Sequence, residues 1–330
     1  MEFKGFILDE FQEEAINAID QNQSVIVSAP TGSGKTLIAD YIIHKSVPRG
    51  IRIIYTAPIK ALSNQKYKEF CKDYGEENIG LLTGDIVKNP GAPVLIMTTE
   101  IYRNMALVGD PIVYDVHYVI FDEIHFINDI ERGYVWEESI IFSRPQVRFL
   151  CLSATIPNAK EFGEWIEAIK EHPVRIVRHN IRNVPLDKKF FDTDLGITTL
   201  EEIQKIKDIP EVSGRRRQVH RQKVIPPGHV DLIGQIMTKL PCFFFCFSRI
   251  KCQDYALELK RKNIFSVNPQ IISFIRQKLA EAPPEINQLH TTKLLRETLP
   301  YGVGFHHAGL LPIMKELVEE LFSQGLLKVL

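Results

Sequence analysis

The chain lacks the features that mark membrane proteins, disulfide-linked proteins and strongly basic proteins. No apolar run in its 330 residues approaches the roughly 18 residues needed to span a bilayer. Five cysteines form an odd set without metal-ligand spacing, and the first residues lack a signal-peptide layout. A net charge of −1 gives no global basic signal. We therefore expect a protein of a reducing, cytoplasmic compartment with no membrane partner, whose contacts with nucleic acid come from a local groove.

Cys242 and Cys246 flank the aromatic run Phe243-Phe244-Phe245. An apolar run of this kind is typical of a core strand, so we interpret both cysteines as core residues. A zinc site at this pair is the alternative.

Strands and helices alternate through the first 180 residues. Apolar, β-branched runs predict strands at 24–28, 52–56, 94–98, 118–121, 149–153 and 174–177. Helical periodicity predicts helices at 10–19, 35–46, 60–72, 100–107, 134–142 and 159–170. The alternation indicates an α/β fold, with a parallel sheet that carries helices on both faces.

The alternation stops at 186–229, where a basic run containing Arg215-Arg216-Arg217 ends in a Pro/Gly-rich stretch. This segment reads as a solvated linker or insert, or else as an auxiliary phosphate-contacting segment. A second α/β unit follows, with predicted helices at 229–240, 250–262, 269–299 and 311–323 and strands at 242–247 and 301–305. The predicted organisation is thus 1–185, 186–229 and 230–330.

A phosphate-binding loop follows the first strand. Residues 29–36 read Ala-Pro-Thr-Gly-Ser-Gly-Lys-Thr, which gives the candidate nucleotide contacts Pro30, Thr31, Gly32, Ser33, Gly34, Lys35 and Thr36. A strand, a glycine loop and a helix in this order are the context that the motif requires, although Ala29 replaces the usual first glycine. We expect Lys35 to reach the β- and γ-phosphates of ATP and the Thr36 hydroxyl to bind Mg²⁺.

Two acidic residues follow the strand at 118–121. Asp122 and Glu123 stand at its carboxyl end, where chemistry is located in open α/β sheets. Asp122 would hold Mg²⁺ and Glu123 would orient the attacking water. His125 would report the nucleotide state to neighbouring motifs, or it would only cap a turn.

Several further motifs follow in a fixed order. They are Ala57-Pro58-Ile59-Lys60, Thr83-Gly84-Asp85, Thr98-Thr99-Glu100, the Asp-Glu-Ile-His run, the segment 129–138, Ser153-Ala154-Thr155 and the segment 302–310. The sequences of these motifs and their order resemble the superkiller (Ski-like) branch of the superfamily-two helicases, and within it the RNA helicases that supply RNA to the exosome. The resemblance covers nearly the whole chain. It implies two RecA-like domains, ATP hydrolysis coupled to movement on single-stranded RNA, and association with an RNA-degrading complex.

The resemblance also assigns individual residues. Gln12 would read adenine, and Phe6 would stack on the base or belong to the core. The residues implied in contacts with nucleic acid are Pro58, Lys60, Thr83, Gly84, Thr98, Thr99, Ser248, Arg249, His307 and Gly309. Ser153 and Thr155, with His125, would couple the nucleotide state to the grip on nucleic acid. The resemblance favours RNA over DNA as the strand, although the repair-type DNA helicases of the same branch share most of these motifs.

The Gln-x-x-Gly-Arg-x-Gly-Arg motif of the family, which supplies the arginines that clamp the γ-phosphate, has no counterpart in this sequence. We therefore expect an incomplete second RecA-like domain, and a chain that binds ATP but turns it over poorly by itself. Two other interpretations remain open: a DNA helicase of the same branch, and a nucleotide-gated binding module without motor activity. A small-molecule kinase would share the phosphate loop but would have no use for the Asp-Glu-Ile-His and Ser-Ala-Thr runs.

Overall fold

Buried apolar strands organise the first of the two units, Met1–Leu186 and Asp187–Leu330, into which the chain divides. A computed structural model describes residues 1–154, 156–192, 194–206, 228–280 and 282–330. The elements of the first unit are β1 (Glu2–Phe3), β2 (Phe6–Ile7), α1 (Glu10–Asp20), β3 (Ser24–Ser28), α2 (Thr36–Ser46), β4 (Arg52–Ala57), α3 (Lys60–Tyr74), β5 (Ile79–Leu82), β6 (Val87–Lys88), β7 (Val94–Thr98), α4 (Thr99–Val108), β8 (Val116–Phe121), α5 (Tyr134–Phe142), β9 (Arg148–Ser153), α6 (Ala159–Lys170) and β10 (Val174–Arg178).

Eight of these strands form one sheet in the order β10–β3–β9–β8–β4–β7–β5–β6. All neighbouring pairs are parallel except β5 and β6, which form an antiparallel hairpin at one edge. The register aligns the carboxyl ends of the strands: Ser28 pairs with Ser153, and Ala57 pairs with Thr98. The loops that follow these strands therefore meet along a single edge of the sheet.

Side chains alternate between two apolar cores, one on each face of the sheet. Val25 and Val27 of β3 pack with α1, α2 and α3, while Ile26 between them packs with α4, α5 and α6. These strand residues are fully buried, and each buried aliphatic side chain stabilises the fold by about 1.5–3 kcal/mol relative to exposure. Burial on both faces explains why the strands read as continuous apolar runs.

The predicted α/β fold is confirmed for this unit, with strand and helix bounds close to those expected. The hydrophobic pattern missed β5, a four-residue strand interrupted by Gly80. A Cβ atom at Gly80 would lie 2.3 Å from the carbonyl oxygen of Asn89, so only glycine allows the hairpin to close here. No helix among the described residues is long and apolar enough to cross a membrane.

The second unit is mostly helical where the structure describes it. Its elements are β11 (Phe190–Asp192), β12 (Gly196–Thr198), α7 (Leu200–Ile206), α8 (His229–Gln235), α9 (Arg249–Arg261), α10 (Pro269–Ala280), α11 (Pro284–Gln288), α12 (His290–Thr298) and α13 (Pro312–Ser323). β11 and β12 form an antiparallel hairpin within the segment that was predicted to be a linker or insert. The arginine run at 215–217 lies outside the described residues, so its role and the three-part division remain predictions.

The strands predicted at 242–247 and 301–305 are wrong as continuous strands. Val329 forms isolated parallel bridges with Cys242 and with Val303, and no described ladder extends beyond them. Every second residue of the run, including Phe245 and Phe247, is exposed, while Cys242 and Cys246 are half-buried and free. A core strand needs paired neighbours on both sides, whereas the bridge of this run among the described residues joins Cys242 to Val329. The two cysteines are therefore not residues of a continuous core strand, although Cys242 packs against the apolar core of this unit.

Candidate active site

The loops at the carboxyl edge of the eight-stranded sheet divide into two adjacent halves. Three neighbouring strands, β3, β9 and β8, lead into the phosphate loop, the Ser-Ala-Thr run and the Asp-Glu-Ile-His run. The next three, β4, β7 and β5, lead into the loops predicted to contact nucleic acid. The topology thus places the candidate nucleotide residues and the candidate nucleic-acid residues of this unit side by side on one edge.

Glycines shape the phosphate loop. Gly32 and Gly34 have φ angles of +82° and +80°, a region that side chains with a Cβ atom rarely adopt. A Cβ atom at Gly32 would meet nothing within 4 Å, so its backbone is open to an incoming phosphate. The buried hydroxyl of Ser33 donates to the carbonyl oxygen of Pro30 at 2.8 Å. Thr31, which is exposed, completes a loop whose N–H groups precede the first turn of α2.

The ammonium group of Lys35 lies inside this loop. It donates to the carbonyl oxygens of Ala29 at 2.6 Å and Pro30 at 2.9 Å. Partial burial lowers the pKa of Lys35, and the carboxylates of Glu123 and Asp122 oppose that effect. The register of β3, β9 and β8 places the phosphate loop and the acidic run at the same edge of the sheet, which is where the sequence analysis expects both.

Gln12 lies against the phosphate loop with both ends of its amide engaged. Its Nε2 donates to the carbonyl oxygen of Gly34 at 3.1 Å, and its Oε1 accepts from the N–H of Asp9 at 2.9 Å. A Cβ atom at Gly34 would lie 2.7 Å from Gln12 Nε2. Phe6, at 62% exposure, is not a core residue, which leaves its ring accessible.

A tyrosine orients the first acidic residue. Asp122 follows β8, and its N–H donates to the carbonyl oxygen of Thr56 at 3.1 Å. The hydroxyl of Tyr55, on the neighbouring strand β4, donates to Asp122 Oδ2. Burial, together with the charge of Asp122, raises the pKa of Tyr55 well above its ordinary value, so the phenol keeps its proton and remains a donor.

Glu123 adopts a left-handed backbone conformation with a φ of +52°. This conformation costs roughly 1–3 kcal/mol for a residue other than glycine and is concentrated at functional sites. Oδ1 of Asp122 accepts from the Glu123 N–H at 3.0 Å, which fixes the turn. Glu123 then begins the 3₁₀ segment Ile124–Asn128.

His125 contacts the residues that it was predicted to couple. Its Nδ1 lies 3.2 Å from Glu123 Oε2 and 3.5 Å from the hydroxyl of Ser153. The carbonyl oxygen of Ser153 accepts from the N–H of Ala29 at 3.0 Å. A continuous path of polar contacts therefore joins the acidic run, the Ser-Ala-Thr run and the phosphate loop. Thr155 lies outside the described residues, so its assignment stays a prediction.

The oxygen donors at this edge suit magnesium, which prefers oxygen ligands and keeps several waters. They are the hydroxyl of Thr36, at the start of α2, and the carboxylate of Asp122. Within the described ranges, no group of three or more His, Cys, Asp or Glu residues is arranged to hold a metal ion. In phosphate-loop proteins the phosphates of the nucleotide supply further ligands to the magnesium ion, so two protein oxygens fit that kind of site.

The candidate nucleic-acid residues of the first unit line the second half of the edge. Lys60 is exposed, and its ammonium group pairs with Asp85 Oδ1 at 3.0 Å. Thr83 donates to the same oxygen at 3.1 Å, and these two contacts lower the pKa of Asp85. Gly84 lies beside them, where an added Cβ atom would be 3.5 Å from Lys60 Nζ.

The start of α4 forms the next part of this half. Thr98 is the residue before the helix, and Thr99 is its first residue. The hydroxyl of Thr99 is buried and has no hydrogen-bond partner among the residues that the structure describes. Pro58, in the loop after β4, is buried, and its carbonyl oxygen accepts a hydrogen bond from Arg132 at 2.9 Å.

The candidate residues of the second unit lie close to one another. Ser248 caps α9, and its hydroxyl accepts from the N–H of Lys251 at 3.4 Å. The N–H of Gly309 donates to Nδ1 of His307 at 3.1 Å. A Cβ atom at Gly309 would lie 3.7 Å from Cδ of Arg249. Burial and the charge of Arg249 lower the pKa of His307, which favours the neutral imidazole that accepts from Gly309.

The sequence did not single out Tyr55 or Arg132. Tyr55 belongs to an apolar run and reads as core, and its link to Asp122 depends on the adjacency of β4 and β8. Arg132 lies in the segment 129–138, which contributed to the family resemblance without a role being assigned to any of its residues. The contacts of both residues could be predicted only from the order of the strands in the sheet. Hydrophobic periodicity does not give that order.

The comparisons with known proteins agree with this geometry. A profile of the DEAD/DEAH box helicases matches residues 9–162, which include the phosphate loop and the acidic run. This region of the chain is therefore similar to the DEAD/DEAH box helicases. The prediction made from the motif order is thereby confirmed.

Three curated relatives are similar to this chain over nearly its whole length. It is 38% identical to the human "Exosome RNA helicase MTR4" over 98% of its length and 33% of the relative. The human "Superkiller complex protein 2" is 38% identical over 99% of this chain and 28% of the relative. The Arabidopsis thaliana "DExH-box ATP-dependent RNA helicase DExH9" is 37% identical over 98% of this chain and 35% of the relative. The chain thus spans about one third of the length of these relatives.

Proposed function

We propose that this chain is the ATP-binding and RNA-binding part of an ATP-dependent RNA helicase, in which ATP hydrolysis drives movement along single-stranded RNA. The observation that carries the proposal is the division of one sheet edge into a nucleotide half and an adjacent nucleic-acid half. A phosphate loop alone fits many nucleotide hydrolases. A second set of loops beside it, in which the ammonium group of Lys60 and the backbone of Gly84 are exposed, suits the backbone of a polynucleotide.

Each residue of the nucleotide half has a proposed role. Lys35 and the open N–H groups of the phosphate loop would bind the phosphates of ATP, and Gln12 would bind the adenine. Thr36 and Asp122 would hold Mg²⁺, which neutralises phosphate charge when bound. Glu123 would orient and polarise the attacking water, and His125 and Ser153 would transmit the state of that site.

The nucleic-acid half would bind the strand through its sugar–phosphate backbone. Lys60, Thr83, Gly84 and Thr98 offer side-chain or main-chain donors at the ends of three neighbouring strands, and the loop containing Pro58 and the first turn with Thr99 frame them. Ser248, Arg249, His307 and Gly309 of the second unit would contact the same strand. Because such contacts read no base edges, we expect little sequence preference and a steep decrease in affinity with salt.

We propose RNA as the bound strand because the similar proteins are named as RNA helicases. Association with an RNA-degrading complex and a cytoplasmic location belong to the same proposal. A protein that distinguishes RNA from DNA of the same sequence does so through the 2′-hydroxyl.

Reciprocal binding measurements test this function. A fluorescent single-stranded RNA is titrated with the chain, with and without a non-hydrolysable ATP analogue and Mg²⁺. We expect the nucleotide to change the RNA affinity at least fivefold, and RNA to change the nucleotide affinity by the same factor, as linkage requires. Competition with DNA of identical sequence then decides between the two strands. Absence of RNA and DNA binding in either nucleotide state would contradict the proposal.

A further inference from the structure

Arg132 joins separate segments at the nucleic-acid half of the sheet edge, and none of the roles above uses it. Its Nη2 donates to the carbonyl oxygen of Pro58 at 2.9 Å and pairs with the carboxylate of Glu100. Pro58 follows β4, and Glu100 lies in the first turn of α4, which follows β7. The guanidinium carbon also lies 5.8 Å from the ring centre of Trp136 on α5. One side chain thus ties two loops of this edge to the start of α5.

The backbone around Arg132 is held by its own contacts. Asp129 Oδ1 accepts from the N–H groups of Glu131 at 2.9 Å and Arg132 at 2.8 Å. The N–H of Gly133 donates to the carbonyl oxygen of Asp129 at 2.8 Å. A Cβ atom at Gly133 would lie 2.2 Å from the carbonyl oxygen of Ile127, so only glycine lets this turn pack on the 3₁₀ segment. Arg132 therefore projects from a turn with little freedom.

We propose, on the basis of the proposed function, that Arg132 is a positioning residue for the nucleic-acid strand. By fixing the loop after β4 relative to the first turn of α4, it would hold Lys60 and Thr98 in the arrangement that binds successive phosphates. The guanidinium suits this task because the two N–H groups of Nη2 donate to a carboxylate and a carbonyl oxygen at once. If the loops at this edge of the sheet are already ordered before the nucleic acid binds, binding does not incur the entropic cost of ordering them.

A direct contact between Arg132 and a phosphate is the competing role. In the structure both the carboxylate of Glu100 and the carbonyl oxygen of Pro58 occupy the guanidinium. Both contacts use Nη2, so a phosphate would have to bind through the N–H groups of Nη1 and Nε. The two roles differ in salt dependence, since each lost phosphate contact reduces the slope of log K against log salt by about 0.7 for a single strand.

The chain contains a matched control. Arg103 of α4 pairs with Glu138 of α5 and lies 5.5 Å from the ring centre of Tyr134. This pair therefore also combines an Arg–Glu ion pair with an aromatic ring at the junction of α4 and α5. It is one helical turn further along α4 than Glu100, away from the sheet edge, and no proposed contact with nucleic acid includes it.

The experiment compares two charge-neutral double variants, Glu100→Ala with Arg132→Ala, and Arg103→Ala with Glu138→Ala. The probes are a fluorescent single-stranded RNA at several salt concentrations and a fluorescent ATP analogue with Mg²⁺. We expect the first variant to bind RNA about tenfold more weakly, a change of about 1.4 kcal/mol, with the salt slope unchanged. The control variant should bind RNA within about twofold of wild type, and both should keep their nucleotide affinity and far-ultraviolet circular dichroism.

Three results would overturn the assignment. If the Glu100/Arg132 variant bound RNA as tightly as the wild type, the contacts of Arg132 would have no positioning role. An equal loss in the Arg103/Glu138 variant would show a general effect of the α4–α5 junction. A loss accompanied by a decrease of about 0.7 in salt slope would make Arg132 a direct phosphate contact. By contrast, a wild-type chain that binds no RNA would contradict the proposed function itself, so the two failures are distinguishable.

Discussion

The hydroxyl of Tyr55 provides a test of the metal-binding role of Asp122. Tyr55 is fully buried, and its hydroxyl donates to Asp122 Oδ2. Tyr55→Phe removes this one oxygen and preserves the packing of the ring. The carboxylate of Asp122 then loses one of the two hydrogen bonds that orient it and keeps the bond from the Glu123 N–H to Oδ1, and its charge is unchanged. If Asp122 binds Mg²⁺, the variant should bind the metal more weakly without losing the nucleotide site.

The size of this effect follows from known metal sites. Removing a residue that orients a metal ligand typically lowers metal affinity about 10- to 100-fold, or about 1.4–2.7 kcal/mol. The same substitution costs folding stability about 0.5–1.5 kcal/mol, the usual net value of one hydrogen bond. Metal affinity and stability must therefore be measured separately.

The assay is a titration of Mg²⁺ into the chain with a fluorescent ATP analogue at fixed concentration. Tyr102→Phe is the control, since the hydroxyl of Tyr102 is also buried and hydrogen-bonds with Ser143. Both variants should lose similar stability in urea, and only Tyr55→Phe should shift the Mg²⁺ midpoint upward about 10-fold or more. Equal midpoints for Tyr55→Phe and Tyr102→Phe would refute the reasoning.

Three further predictions concern other parts of the first unit. Glu123→Gln should keep nucleotide affinity within about threefold while lowering ATP turnover at least about 100-fold in a coupled phosphate assay; equal losses of both would contradict its role. Burial and the charge of Arg148 lower the pKa of His172 from 6.5 to about 4, so the unfolded chain binds more protons between these values. The free energy of unfolding should therefore decrease as pH falls through this window, by at most about 3 kcal/mol. The decrease should be smaller in the His172→Gln variant, and an equal decrease in the two proteins would contradict this prediction. Gly34→Ala should lower stability by about 1–3 kcal/mol because of its positive φ, whereas Gly91→Ala, which meets no neighbour within 4 Å, should not.

The sequence predicted those parts of the fold in which local pattern and tertiary environment agree. Strands such as β3 and β7 are buried on both faces, so their apolar runs identify them without knowledge of their neighbours. β5 was missed because it is short, contains Gly80 and is completed by pairing with β6 and β7. The run at 242–247 has the composition of a core strand but pairs only at isolated bridges. Strand pairing depends on the arrangement of the whole unit, so it cannot be predicted from the composition of one segment.

The candidate site divides in the same way. The phosphate loop and the acidic run were found because contiguous residues carry their chemistry, and the structure brings Lys35 and the two carboxylates together. Tyr55 and Arg132 were not singled out, because their contacts join residues 67 and 74 positions away. Such contacts follow from the order of strands in the sheet.

The central claim is that a nucleotide binds where the phosphate loop meets the acidic strand end. Calorimetric titration of ATP and Mg²⁺ into Lys35→Ala tests it most directly, with Lys45→Ala as a control on the same helix, where Lys45 pairs with Asp20. We predict nucleotide binding by the wild type and Lys45→Ala, and loss of detectable binding in a folded Lys35→Ala protein. Affinity of the Lys35→Ala protein within twofold of wild type would contradict the account.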